Sequence, residues 1–166
     1  VGRLCEQKGA YEAIQIAIKS KLPLLLFGRV GFTDERQKYY NDKIKPYLSE
    51  KIKYMGEVNH GGLLKYIKNA RATLLPTQRP EVWPNVIIES LSSGTPVITS
   101  NQPPFNEMIL SDKIGKSSDS ITELVDAVVN INHFSRNVCR EYAKQKFDGK
   151  IMSKKYFSLY KKILNI

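Results

Sequence analysis

Short apolar runs alternate along the chain with segments whose apolar residues have helical spacing. The short runs predict strands, and the helical spacing predicts helices that follow them in turn. The predicted strands are residues 1–4, 22–28, 51–58, 72–77, 95–100 and a short one near Ile114. The predicted helices are residues 10–19, 34–48, 62–70, 85–92, 104–110, 119–130, 134–146 and 151–164. This alternation indicates an α/β fold, a Rossmann-like parallel sheet with helices on both faces.

Parallel sheets of this kind bind ligands beyond the carboxyl ends of their strands, so the strand-to-helix loops carry the candidate chemistry. The first loop, VGRLCEQKG, places Arg3 and Lys8 around the start of a helix. Two cations beside a helix N-terminus suit a phosphate group. The alternative is that both side chains are ordinary solvated surface cations.

The segment RPEVWPNVIIESLSSGTPVI, residues 79–98, combines a loop with an apolar helix that contains a carboxylate, Glu89. Pro84 suits a helix start, which leaves the N–H groups of Asn85 and Val86 to face a ligand. A buried, unpaired carboxylate would be costly, so we expect Glu89 to have a partner or to face a cleft. In a cleft it could accept hydrogen bonds from a ribose diol, whereas in the core it could pair with an arginine or the backbone.

Four segments together resemble one enzyme family. Glu81 and Glu89 enclose seven residues, which is similar to the E-x7-E signature of retaining glycosyltransferases of family 4, with the GT-B fold. VGRLCEQKG resembles the family's phosphate loop, IKYMGEV its glycine turn before the base pocket, and PPFNEMI, with Glu107, a later acidic segment. Pro84 and Asn85 depart from the glycine and leucine most common there, and SLSSG replaces an alanine-rich stretch.

The resemblance implies a role for each matching position, with a nucleotide diphosphate sugar as the donor substrate and no cofactor or metal. Arg3 and Lys8 would bind the donor diphosphate and stabilise it as it leaves, and Glu81 would contact the donor sugar. Glu89 would hold the ribose hydroxyls. The remaining implied donor-binding residues are Gly2, Glu57, Val58, Trp83, Pro84, Asn85 and Val86.

The resemblance also implies a domain organisation. Residues 1–166 would form a single donor-binding domain, the C-terminal half of a GT-B enzyme. We expect the chain to be a fragment that lacks an N-terminal domain with the contacts to a glycan or lipid-linked acceptor. The fragment alone would then bind the donor weakly and catalyse little.

The positive charge is concentrated at one end of the chain. Of a formal net charge of +10, most lies in the basic helical region 134–166, which has nine Lys and Arg residues against two acids. Its aromatic residues interleave with lysines, so a non-enzymatic module that binds nucleic acid or an anionic surface is the competing hypothesis. Helical spacing instead predicts that these aromatics pack on the sheet, with no nucleic-acid partner. A peripheral membrane contact or a strap to the N-terminal domain is also open.

Other site classes lack their signatures. The sequence has no G-x-G-x-x-G after the first strand, no P-loop and no Asp-x-Asp. His60 and His133 are isolated in sequence, which argues against a metal hydrolase. Cys5 and Cys139 lie far apart and are expected to be reduced thiols. We therefore expect a cytoplasmic protein, with attachment to the inner face of a membrane as an option.

Overall fold

A computed structural model describes residues 1–164 and confirms the alternation of strands and helices. The strands are β1 (Leu24–Leu26), β2 (Ile52–Tyr54), β3 (Thr73–Leu75), β4 (Val97–Thr99) and β5 (Gly115–Ser117). The helices are α1 (Ala10–Ser20), α2 (Asp34–Tyr39), α3 (His60–Asn69), α4 (Asn85–Ser92), α5 (Phe105–Met108), α6 (Ile121–Val129), α7 (Arg136–Phe147) and α8 (Gly149–Leu164). Every strand pairing is parallel, as predicted.

The strands form two sheets rather than one. β1 pairs with β2, and β3, β4 and β5 follow one another in the second sheet. Residues 1–4, predicted to end a strand, adopt no regular strand within the described part of the chain. They still run beside the end of β1, because Gly2 N–H donates to the Phe27 carbonyl at 2.9 Å and Leu4 N–H to that of Arg29 at 3.0 Å.

Helices cover both faces of the second sheet, and neighbouring residues of β4 show this directly. Successive side chains of a strand point to opposite faces. Val97 packs in a core cluster with Ile87 and Leu91 of α4. Ile98 packs in another cluster with Ile16 of α1 and Leu124 of α6. The prediction of helices on both faces is therefore confirmed.

The helix predicted at 34–48 is one helical segment with three kinds of winding. α2 continues into a π-helical turn at Tyr40–Ile44 and a 3-10 turn at Lys45–Tyr47. Proline lacks the N–H needed to continue an α-helix, and Pro46 lies in the last of these turns. The segment still buries Ile44 in the core of the first sheet.

The two C-terminal helices differ in how they pack. In α7, Tyr142 and Phe147 pack against the core, and Arg136 donates to the carbonyls of Lys68 and Ala70 at the end of α3. α8 buries none of its residues. Its exposed large side chains are Met152, Tyr156, Phe157, Leu159, Tyr160, Ile163 and Leu164. The prediction that the C-terminal aromatics pack on the sheet is therefore right for α7 and wrong for α8.

Within residues 1–164, no helix combines the length and the apolar character needed to cross a membrane.

Candidate active site

The loop that follows residues 1–4 is folded tightly against the end of β3. It forms a 3-10 turn at Glu6–Lys8 and reaches α1 through Gly9, which has a φ of 67°. A Cβ on Gly9 would lie 1.8 Å from the Pro76 carbonyl oxygen, so only glycine fits this approach. Gln78 N–H also donates to the Gln7 carbonyl at 3.0 Å. These contacts bring the loop that carries Lys8 to the loop that carries Glu81.

Lys8 and Glu81 form an ion pair and hydrogen bond between Nζ and Oε1. Both side chains are largely shielded, with 27% of Lys8 and 20% of Glu81 exposed. Glu81 is held from its backbone as well, because its N–H donates to the Pro103 carbonyl at 3.1 Å. The structure therefore places two of the predicted catalytic residues in direct contact.

The third predicted catalytic residue, Arg3, has an exposed side chain. Within residues 1–164 its guanidinium makes no protein hydrogen bond or ion pair. Gly2, beside it, has a φ of 142°, and the close approach of Gly28 to the Gly2 carbonyl fixes this part of the chain. Arg3 can therefore move toward an anion near Lys8 without breaking a side-chain hydrogen bond or ion pair within residues 1–164.

The start of α4 differs in detail from the sequence prediction. Helix bounds of Asn85–Ser92 match the prediction, and Pro84 precedes the first helical residue. However, the Asn85 N–H donates to the Trp83 carbonyl at 3.1 Å, so the prediction that it is free for a ligand is wrong. The Val86 N–H has no protein acceptor among the described residues, which leaves one donor of the expected pair for a ligand.

Glu89 lies one helical turn after Asn85, and its carboxylate has a protein partner. Its Oε1 is 3.1 Å from Nε2 of His60, the first residue of α3. The Glu89 side chain is 25% exposed, and the His60 side chain is 68% exposed. Glu89 thus meets both expectations, a partner and an open side, although the partner is neither a core arginine nor the backbone. His60, which is isolated from the other histidine in sequence, thus lies beside a carboxylate in the structure.

His60 is the site residue that sequence reasoning missed. The signal lay in NHGG after the glycine turn: Asn59 caps α3 by accepting the Gly62 N–H at 2.7 Å, which makes His60 the first helical residue. That placement directs attention to the loop after β2 but does not identify Glu89, 29 positions later, as the partner. Only the packing of α3 beside α4 brings the two together.

The residues predicted to border the base lie in the same region. Glu57 and Val58 are exposed in the loop between β2 and α3. This loop is tied to the one after β1, because Gly28 N–H donates to the Gly56 carbonyl at 2.9 Å. Tyr54 donates its hydroxyl to the Gly28 carbonyl at 2.8 Å, and burial raises the pKa of Tyr54, so it stays a neutral donor near pH 7.

Trp83 lies at the rim of the site. Its side chain is 54% exposed, and its ring makes an edge contact with Phe147 of α7 at 6.3 Å between centroids. Phe147 in turn contacts Tyr142. The indole is therefore supported from behind by the end of α7 while more than half of it remains available to a ligand.

The described residues contain no cluster of three or more His, Cys, Asp or Glu side chains that could hold a metal ion. The buried thiol of Cys139 lies in the core, where burial raises its pKa to about 11. The roles assigned to Arg3, Lys8, Glu81, Glu89 and the donor-binding residues remain predictions.

The model of the family "Glycosyl transferases group 1" matches residues 1–146. The chain is 25% identical over 167 residues to the "Uncharacterized 41.2 kDa protein in cps region" of Klebsiella pneumoniae, covering 97% of this chain and 45% of that protein. It is 28% identical over 124 residues to the glycogen synthase of Mycobacterium tuberculosis, covering 70% of this chain and 28% of that enzyme. The chain thus spans less than half the length of these curated relatives.

Solved structures share the fold, and one of them is a glycosyltransferase. AviGT4, a glycosyltransferase involved in avilamycin A biosynthesis, superposes with a TM-score of 0.82 at 21% identity, over 99% of this chain and 50% of that one. HepE of Anabaena, solved in complex with UDP, superposes with a TM-score of 0.82 at 16% identity. The match covers 97% of this chain and 48% of HepE. HepE has also been solved with UDP-glucose. The predicted GT-B architecture is confirmed, and the chain belongs to the group 1 glycosyltransferases.

Proposed function

We propose that this chain is the donor-binding domain of a retaining glycosyltransferase of family 4 that takes its sugar from a uridine diphosphate sugar. The observation that carries the proposal is the position of both glutamates of the seven-residue spacing. Glu81 contacts Lys8 in the phosphate loop, and Glu89 opens beside α3. Uridine as the base is supported by the fold neighbour HepE, which was solved with UDP and UDP-glucose.

In the proposed complex, the diphosphate lies between the first loop and the start of α4. Lys8 and Arg3 neutralise its charge, and the Val86 N–H supplies a donor at the positive end of the helix dipole. Each charge-assisted hydrogen bond contributes roughly 1.5 to 3 kcal/mol. As the bond to the sugar breaks, charge on the diphosphate grows, so the same cations stabilise the leaving group more strongly than the bound donor.

We propose that the reaction needs no metal ion, because Arg3 and Lys8 supply positive charge where the diphosphate leaves. The lack of an Asp-x-Asp sequence supports this, since sugar transferases that depend on a metal commonly use paired aspartates to hold it. Glu81 is assigned to hydroxyl groups of the donor sugar. Transfer with retention follows from the resemblance to family 4 and is part of the proposal.

The acceptor is proposed to be a glycan or a lipid-linked glycan bound mainly by a second domain. The share of its relatives that this chain covers supports a larger enzyme. Nucleic-acid binding is not proposed, because the chain belongs to the group 1 glycosyltransferases.

Calorimetric titration of UDP into the wild-type chain and the Glu89→Gln variant tests the assignment. Glutamine keeps the shape but loses the anionic acceptor for the ribose hydroxyls, so UDP affinity should fall roughly tenfold or more. The proposal fails if wild-type protein does not bind UDP, or if Glu89→Gln binds it unchanged.

A further inference from the structure

His60 stands at the edge of the proposed nucleotide site, and its imidazole makes one hydrogen bond among the described residues, to Glu89. The Asn59 cap fixes the start of α3 and therefore the point from which the imidazole extends. Its Nε2 lies 3.1 Å from Glu89 Oε1. No other side chain or backbone group within residues 1–164 makes a hydrogen bond to the Glu89 carboxylate. The orientation of this carboxylate therefore depends on His60.

The contact leaves the carboxylate able to bind a diol. Each carboxylate oxygen has two lone pairs, so His60 occupies one of about four acceptor positions. Oε2 and the second position on Oε1 stay open. A ribose with vicinal hydroxyls can donate one hydrogen bond to each oxygen while the imidazole keeps its own. The ligand and His60 are thus compatible partners of Glu89 rather than competitors.

We propose that His60 is a positioning residue for nucleotide binding, which holds the Glu89 carboxylate in the orientation that accepts the ribose hydroxyls. This rests on the proposed function, since it takes the ribose as the ligand of Glu89. A glutamate side chain that is free to rotate loses rotamer entropy when a ligand fixes it. The contact with His60 restricts Glu89 before the ligand arrives, so the ligand does not bear that loss.

The exposure of His60 separates this role from a structural one. Because 68% of the His60 side chain is exposed, its pair with Glu89 contributes little to folding stability. Removal of the imidazole should therefore leave the melting temperature almost unchanged. The effect should appear in ligand binding, and only for ligands that carry the ribose hydroxyls.

The test is a set of calorimetric titrations of the whole chain with UDP and with 2′,3′-dideoxy-UDP. The variants are His60→Ala, His60→Gln and His133→Ala. His60→Ala should lower the affinity for UDP roughly three- to tenfold and leave the affinity for dideoxy-UDP unchanged. Glutamine places an N–H donor near the position of Nε2, so His60→Gln should recover most of the loss. His133, which pairs with Asp112 instead at 3.6 Å, is the matched control, and its replacement should change neither affinity.

Each contrary result overturns the role of His60 in a recognisable way. Equal weakening of both nucleotides by His60→Ala would indicate a general structural effect, and unchanged UDP affinity would show that His60 does not act on Glu89. Tighter UDP binding would make the imidazole a competitor of the ribose. If the wild-type chain does not distinguish UDP from dideoxy-UDP, the ribose assignment of Glu89 itself fails, and the role of His60 falls with it.

Discussion

Lys8 and Glu81, which are 73 positions apart in the chain, form an ion pair at the carboxyl ends of the strands. Lys8 is the cation assigned to the donor diphosphate, and Glu81 is the carboxylate assigned to the donor sugar. The contact holds the two loops together without a ligand. A diphosphate bound at Lys8 would have to share this cation with Glu81, so the assigned roles would couple recognition of the two halves of the donor.

This coupling predicts that Glu81→Gln affects two ligands differently. Without the carboxylate, Lys8 is released to the diphosphate, so UDP affinity should stay unchanged or rise up to about threefold. The affinity for UDP-glucose should fall roughly tenfold relative to that for UDP, because glutamine is a weaker acceptor than Glu81 for a hydroxyl of the sugar. Calorimetric titration measures both. Glu50→Gln, an exposed change just before β2 at the amino ends of the strands, is the control. Parallel losses for UDP and UDP-glucose would refute the assignment of Glu81 to the sugar.

Gly9→Ala should destabilise the protein and weaken UDP binding together. The added Cβ would lie 1.8 Å from the Pro76 carbonyl oxygen, at a residue whose φ is 67°. We expect the free energy of unfolding to fall by about 2 kcal/mol or more, measured by urea denaturation. Gly149→Ala is the matched control, since its Cβ would meet nothing within 4 Å, and it should change stability by about 0.5 kcal/mol at most. If Gly9→Ala changed neither the free energy of unfolding nor the affinity for UDP, the loop that carries Lys8 would not be held against Pro76 as described.

Glu12 gives the unfolding free energy a pH dependence. One carboxylate oxygen of Glu12 is buried and has no hydrogen-bond partner within residues 1–164, and burial raises the pKa of Glu12 above the ordinary 4.5. The folded state thus disfavours the charged form, so the wild type loses stability as pH rises from 4.5 through the raised pKa of the folded state, and the loss levels off above that pKa. The stability of Glu12→Gln should match that of the wild type below pH 4.5 and exceed it near pH 7. Thermal melts from pH 4 to pH 8 measure the difference, and a constant offset would contradict this cause.

The exposed helix α8 predicts binding to anionic membranes. It has five lysines, no acidic residue and an unburied apolar face that includes Tyr156 and Tyr160. A lysine near an anionic bilayer contributes about 1 kcal/mol, so the chain should co-sediment with anionic vesicles at low salt and much less at high salt. A double variant in α8, Lys154→Glu with Lys155→Glu, should abolish binding. The control double variant, Lys51→Glu before β2 with Lys53→Glu in β2, should still bind. Equal loss in both double variants would indicate only a net-charge effect, and no binding at low salt would exclude the contact.

The sequence predicts the framework well because the framework depends on local pattern. The bounds of α4 follow from Pro84 before an apolar helical run and Gly94 after it, and both signals are local. The pairing of Glu89 with His60 depends on how α3 lies against α4, which no spacing along the chain reveals. The bond from Asn85 N–H to the Trp83 carbonyl likewise depends on the loop conformation before α4. Tyr142 packs against the core whereas Tyr156 is exposed, although both lie in similar amphipathic helices.

The most direct test of the central claim is a calorimetric comparison of uridine, UMP and UDP binding to the wild-type chain. If Arg3, Lys8 and the start of α4 form a diphosphate site, affinity should rise from uridine to UMP to UDP, with UDP at least about tenfold tighter than uridine. Lys8→Ala should remove most of that difference while leaving uridine unaffected. Equal affinities for uridine and UDP would contradict the assignment of this site to a nucleotide diphosphate sugar.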